Sequence, residues 1–93
     1  MKQTIWKYQL EVKDEIFLTM PADAKLLHVG FQNGEPVLWA LLNPENEYVE
    51  RKIMVTGTGW DISDKDMGVY IGSIQTPSIL GELVWHYFDG GEV

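Results

Sequence analysis

The sequence contains no cysteine among its 93 residues. Disulfide bonds, thiolate catalysis and cysteine-ligated zinc are therefore excluded, and the fold must be stabilised by packing or by assembly. Basic residues are also scarce, because 7 lysines and arginines stand against 14 acidic residues and leave a formal charge of −7. This balance excludes broad binding to duplex DNA or RNA, which requires basic side chains that neutralise phosphates. It leaves room for a small basic pocket that takes an anionic ligand.

Long hydrophobic runs are missing as well. The longest apolar segment, residues 37–42, has six residues, whereas a helix that crosses a bilayer needs about 20. Residues 1–7 lack the apolar centre of a signal peptide. We therefore expect no membrane partner and a cytoplasmic location, inside a host cell if the protein is viral.

Apolar and polar residues alternate along most of the chain, and this period of two predicts strands. About seven short strands follow one another at the spacing of a small sandwich or barrel. Residues 37–42 are apolar on both faces and predict a central strand, and Asn33-Gly34 just before it predicts a hairpin turn. The sequence therefore predicts a single all-β domain over residues 1–93, with mostly antiparallel pairing.

Two segments depart from the alternating pattern. Residues 61–67 are the one place where a short helical turn is expected, with Asp61 or Ser63 as its cap. Residues 89–93, with two glycines, predict a frayed tail. Within the strand over residues 69–75, Gly72 predicts a bulge or a close backbone contact.

Residue types that carry catalysis are few. His28 and His86 are the two histidines, and both lie mid-strand among apolar residues without metal-ligand spacing. No serine stands in the context of a catalytic nucleophile, and residues 61–66 do not match a calcium loop. We therefore predict a protein that is not an enzyme and that carries no metal or cofactor.

The loop after the fifth strand is the best candidate for a binding site. Its glycines let backbone amides approach an anion, its threonines add hydroxyl donors, and its tryptophan can stack on a base. The predicted ligand-binding residues are Arg51, Lys52, Thr56, Gly57, Thr58, Gly59 and Trp60. The alternative is a tight turn that Trp60 closes as a hydrophobic plug.

Several short motifs resemble a family of uncharacterised bacteriophage and prophage proteins. They are Ile-Trp-Lys-Tyr (5–8), Gln-Asn-Gly (32–34), Leu-Trp-Ala (38–40), Gly-Thr-Gly (57–59), Tyr-Ile-Gly (70–72) and Leu-Val-Trp-His (83–86). The resemblance spans essentially the whole chain and implies a phage accessory protein. Members of that family commonly carry a histidine after Gly-Thr-Gly, where this sequence has Trp60, and no catalytic residues are carried over.

Small phage proteins often counter host defences, so the resemblance implies a binding module that sequesters a nucleotide immune signal. A chain this small gains core area by assembly, so a homo-oligomer is the expected state. Two alternatives remain open. The first is an acidic inhibitor that binds a basic surface of a host enzyme, and the second is an accessory protein of phage assembly.

Overall fold

Strands make up most of the part of the chain that the computed structural model describes, which is residues 2–76 and 83–93. They are β1 (Thr4–Gln9), β2 (Glu15–Pro21), β3 (Lys25–Gln32), β4 (Glu35–Leu42), β5 (Tyr48–Gly57), β6 (Val69–Thr76) and β7 (Leu83–Glu92). One sheet has the order β1-β4-β3 and the other β2-β5-β7-β6, and all paired strands are antiparallel. The prediction of an all-β domain with seven antiparallel strands is confirmed, and the two sheets form a sandwich.

The β3–β4 hairpin forms where the sequence predicts it. Asn33 and Gly34 both have positive φ, at 55° and 79°, and these are two residue types that adopt such angles at low cost. The strand that follows, β4, lies between β1 and β3. On one face of β4, Leu38, Ala40 and Leu42 are buried, and on the other face Trp39 and Leu41 are half-buried.

Both sheets contribute side chains to one hydrophobic core. Leu38 and Ala40 of β4 are fully buried, as are Ile53 of β5 and Tyr87 of β7. Burial of a large apolar side chain contributes roughly 1.5–3 kcal/mol, so this shared core holds the two sheets together.

Gly72 of β6 lies against Val29 of β3, in the other sheet. The register of β6 against β7 shifts between Tyr70 and Gly72, and a Cβ atom at Gly72 would lie 3.0 Å from the Val29 side chain of β3. The register shift agrees with the bulge predicted at Gly72, and the close contact is with a side chain rather than with another backbone segment.

The helical turn expected over residues 61–67 is not formed. The Asp61 carboxylate accepts hydrogen bonds from the amide and the hydroxyl of Ser63, and a single backbone bond from Lys65 to Ile62 closes the next turn. An aspartate that binds the backbone two residues ahead favours a turn over a helix. The structure therefore replaces the predicted helical turn with an Asx turn.

The tail predicted over residues 89–93 is also corrected. β7 continues to Glu92, which pairs with Arg51 of β5, and the Val93 amide donates to the Glu50 carbonyl. Asp89 and Glu92 supply the carboxylates that Arg51 requires, so the chain end is held by an ion pair that spacing alone does not reveal.

Candidate functional site

The loop that follows β5 is held against the sheet by backbone hydrogen bonds and by Trp60. The Thr58 amide donates to the Val84 carbonyl, and the Trp60 amide donates to the Gly57 carbonyl. A Cβ atom at Gly57 would lie 2.9 Å from Cε2 of Trp60, a distance that only glycine permits. Gly59 has a φ of 85°, which also favours glycine. The two glycines therefore let the chain turn back so that Trp60 lies over Gly57.

Trp60 and Trp85 form the corner of an open cleft. Their rings meet edge to face, with centroids 5.3 Å apart and planes at 83°, a favourable geometry for an aromatic pair. Trp60 remains 54% exposed. The cleft has a volume of about 260 Å³ and is lined by Gly57, Thr58, Trp60, Leu83, Val84 and Trp85. We call it the Trp cleft.

The polar wall of the Trp cleft is linked to the sheet behind it. Thr58 Oγ1 lies 2.7 Å from Nε2 of His86, and the other ring nitrogen of His86 lies 2.6 Å from Ser73 Oγ. Ser73 Oγ in turn lies 2.7 Å from the hydroxyl of Tyr70. Four side chains from the loop, β7 and β6 thus form one hydrogen-bonded series that ends at the cleft.

Arg51 and Lys52 do not reach the Trp cleft. They precede Gly57 by six and five residues on an extended strand, a separation of about 20 and 17 Å. The Lys52 side chain lies against Gly90, at 3.0 Å from the Cβ position there. The structure therefore does not bring the predicted basic pair together with the Gly-Thr-Gly loop.

Arg51 has an internal partner instead. Its Nε and Nη2 atoms donate to the two carboxylate oxygens of Asp89, at 2.9 and 2.6 Å. Nη1 donates to the Ala24 carbonyl at 2.9 Å and lies 3.8 Å from Glu92. The guanidinium is buried, and a bidentate, charge-assisted pair of this kind serves the fold. We call Arg51, Asp89 and Glu92 the Arg51 cluster.

The pKa of Asp89 reflects this environment. Burial raises it, but the hydrogen bond and the charge of Arg51, together with the Gly91 amide, outweigh burial and leave the pKa below the ordinary value. The hydrogen bond to Asp89 raises the pKa of Arg51 in turn. Both groups are therefore ionised at neutral pH.

Thr56 also lies apart from the cleft. It is buried, opposite His86 in the register of β5 and β7, and its hydroxyl donates a long bond of 3.4 Å to the Gly57 carbonyl. Of the seven residues predicted from sequence, Gly57, Thr58 and Trp60 line the cleft, and Gly59 lies between the last two. The prediction that Trp60 is an exposed loop aromatic agrees with the structure, and Trp60 also covers Gly57 as the alternative expected.

Sequence reasoning missed Trp85, His86, Ser73 and Tyr70 as members of the site. The register places Trp85 opposite Gly57 and His86 opposite Ser73. A signal was present, since a histidine and a serine lie at outward positions of strands rich in apolar residues. What the sequence did not supply was which strands are neighbours.

The charged side chains near the Trp cleft are of both signs, and one of them is already paired. A smaller cavity beside Trp60 and Trp85 is bordered by Lys13 and Asp14, and Lys13 already lies 3.3 Å from Glu11. Asp61 follows Trp60 directly, and hydrogen bonds from Ser63 lower the pKa of its carboxyl. The surroundings therefore suit an uncharged ligand better than a polyphosphate.

The described part of the chain offers neither a cluster of metal ligands nor a helical membrane span. Residues 2–76 and 83–93 contain no cluster of three or more histidine and acidic side chains that could hold a metal ion. Within the same residues, no helix has the length and apolarity to cross a bilayer.

His28, the histidine outside the cleft, stacks on Trp39 with centroids 6.0 Å apart.

Comparison with known proteins gives one result. No curated protein and no solved structure matches the chain. A family model described as a domain of unknown function, DUF7352, matches residues 1–92. The match covers nearly all of the sequence, and the chain therefore belongs to the DUF7352 family.

Proposed function

We propose that the protein is a binding module whose Trp cleft takes a small, planar heteroaromatic ligand of the nucleoside class. The observation that carries this proposal is the pair of tryptophans at the corner of an open cleft, one of them 54% exposed. An exposed indole beside a concave apolar wall supplies a face for stacking, and each stacked base contributes about 1–3 kcal/mol.

The size and the polarity of the cleft narrow the ligand. A volume of about 260 Å³ lies just below the range of roughly 300–1,000 Å³ that is typical of small-molecule sites, so it suits one ring system rather than a dinucleotide. Lys13 is the cation nearest to the cleft among its lining and bordering residues, and Glu11 pairs with it. We therefore propose recognition through the base, with little contribution from phosphate.

Sequestration without turnover is the role that this site supports best. Because the chain resembles phage proteins, we propose that it removes a nucleotide signal of host immunity. Recovery of the bound ligand chemically unchanged tests this part of the proposal. Self-association stays a prediction, and native mass spectrometry of the purified protein measures it directly.

Calorimetry and tryptophan fluorescence test binding. We expect at least one member of a panel of adenosine, guanosine, uridine, their monophosphates and ADP-ribose to bind and to change the fluorescence of Trp60. Trp60→Leu should weaken that binding roughly 5- to 150-fold, which is the fold-change of 1–3 kcal/mol.

Tyr48→Leu is the matched control, because Tyr48 is also 54% exposed and lies at the opposite end of β5. It should leave affinity unchanged. Absence of binding by every compound, or equal affinity in Trp60→Leu and the wild type, overturns the proposal.

A further inference from the structure

The side chains behind the Trp cleft are joined by hydrogen bonds in series, so the choice of donor in one bond fixes the donor in the next. Tyr70 is bonded to Ser73, and Ser73 to Nδ1 of His86, at 2.7 and 2.6 Å. Nε2 of His86 is bonded to Thr58 at 2.7 Å. All three distances lie in the range of true hydrogen bonds. A neutral imidazole has one donor nitrogen and one acceptor nitrogen, so the proton positions along the series are coupled.

The phenol at one end sets that direction. A phenol hydroxyl is more acidic than an aliphatic hydroxyl and is the better donor, so Tyr70 donates to Ser73. Ser73 then has its own proton left for Nδ1 of His86. The imidazole consequently carries its proton on Nε2 and donates it to Thr58.

We propose that the Thr58 hydroxyl is thereby fixed as a hydrogen-bond donor toward the Trp cleft, and that the ligand presents an acceptor to it. The oxygen of Thr58 already accepts from His86, so its own proton is free for a ligand, and one of its two lone pairs also remains. Ring nitrogens and carbonyl oxygens of a heteroaromatic base are acceptors of this kind. The inference rests on the proposed function, and it names the polar feature by which the ligand is selected.

Cooperativity adds to the strength of this donor. In a series of hydrogen bonds that all point the same way, each bond polarises the next and strengthens it by about 10–30%. With the opposite direction, Thr58 would donate to His86 and offer only lone pairs to the cleft. Such a site would bind only ligands with N–H or O–H groups at this position, so only the proposed direction predicts a gain from an acceptor on the ligand.

The proton position on His86 tests the direction without any ligand. A long-range ¹H–¹⁵N correlation spectrum of the imidazole at mildly alkaline pH should show Nε2 protonated and Nδ1 bare. His28 is the internal control, because it lies outside the series and stacks on Trp39. Tyr70→Phe removes the first donor and should populate the other tautomer of His86. A proton on Nδ1 in the wild type overturns the inference.

Two isosteric rings test the consequence for ligands. Quinoline carries a ring-nitrogen acceptor, and naphthalene has the same shape without it. We expect the wild type to bind quinoline about three- to tenfold more tightly, the fold-change of one net hydrogen bond. Thr58→Val keeps the shape of the side chain and should remove the preference, so that the variant binds the two rings with equal affinity.

The outcomes separate this inference from the proposed function. If both rings bind equally in the wild type, the Trp cleft stands as a binding site and the inference about Thr58 is overturned. If neither ring and no compound of the nucleoside panel changes the tryptophan fluorescence, the binding proposal and the inference fail together.

Discussion

The two ends of the β5–β7 strand pair are built on opposite principles. At one end, the Arg51 cluster buries a guanidinium and satisfies it with Asp89 and the Ala24 carbonyl. At the other end, the Trp cleft leaves an indole exposed, and its lining among the described residues has the Thr58 hydroxyl but no charged side chain. The first end has its polar groups paired internally, and the second has surface left for another molecule.

This difference indicates which end of the strand pair is available for binding. A buried arginine attracts attention as a ligand for phosphate, but its hydrogen bonds here are already directed at the fold. The exposed face of Trp60, by contrast, is not committed to the fold in this way. Substitutions at the two ends should therefore separate stability from binding.

Arg51→Met should have the largest effect on stability. It leaves the Asp89 carboxylate without its partner in a site where the side chains of the pair are 10% and 20% exposed. Breaking a buried pair in this way costs several kcal/mol, and with Asp89 partly exposed we expect a loss of about 3 kcal/mol in the free energy of unfolding, measured with urea. Lys52→Met, one position along, should cost far less. A change below about 1 kcal/mol in Arg51→Met would place the Arg51 cluster among the weak surface pairs.

Low pH should remove the stabilisation that the Arg51–Asp89 pair contributes. The pKa of Asp89 is lower in the folded protein than its ordinary value, so its pairing stabilises the fold above that ordinary value. This stabilisation is lost as pH falls below about 4 and Asp89 takes up a proton. The stability difference between wild type and Arg51→Met should therefore narrow from pH 7 to pH 3, as urea titrations at both pH values measure. A constant difference would show that the arginine acts through packing alone.

Gly57→Ala should have an intermediate effect, and it acts at the Trp cleft. The new methyl group would lie 2.9 Å from the Trp60 ring and displace it, at a cost of about 1–2 kcal/mol for overpacking. Tryptophan fluorescence and ligand affinity should change together. In a Trp60→Leu background the same substitution should cost little, because the colliding ring is gone. An equal cost in both backgrounds would locate the strain in the backbone instead.

The sequence predicts much of the fold because alternation and turn residues are local signals. The Asn33-Gly34 hairpin and the bulge at Gly72 both follow from the backbone preferences of the residues involved. The ordered chain end could not be predicted in this way. Its order depends on Asp89 meeting Arg51 across 38 residues of sequence, a contact set by strand order.

The candidate site likewise has residues that local sequence predicts and residues that depend on strand order. Gly57, Thr58 and Trp60 are neighbours in sequence and were found together. His86 and Trp85 join them because β7 lies beside β5, while Ser73 joins because β6 lies beside β7. Arg51 was misplaced because adjacency on an extended strand brings residues six positions apart no closer than about 20 Å.

Lys13→Gln should have the smallest effect, and it tests whether charge matters at the Trp cleft. Lys13 and Glu11 are 61% and 63% exposed, and pairs of this kind contribute about 0–1 kcal/mol to stability. Because water and salt screen such a charge, we expect calorimetry at low salt to show nucleoside binding unchanged and nucleoside monophosphate binding weakened about twofold. Lys25→Gln, beside a different cavity, is the control and should change neither. A tenfold loss for the monophosphate in Lys13→Gln would mean that this end of the strand pair also relies on charge, which would remove the contrast between the two ends.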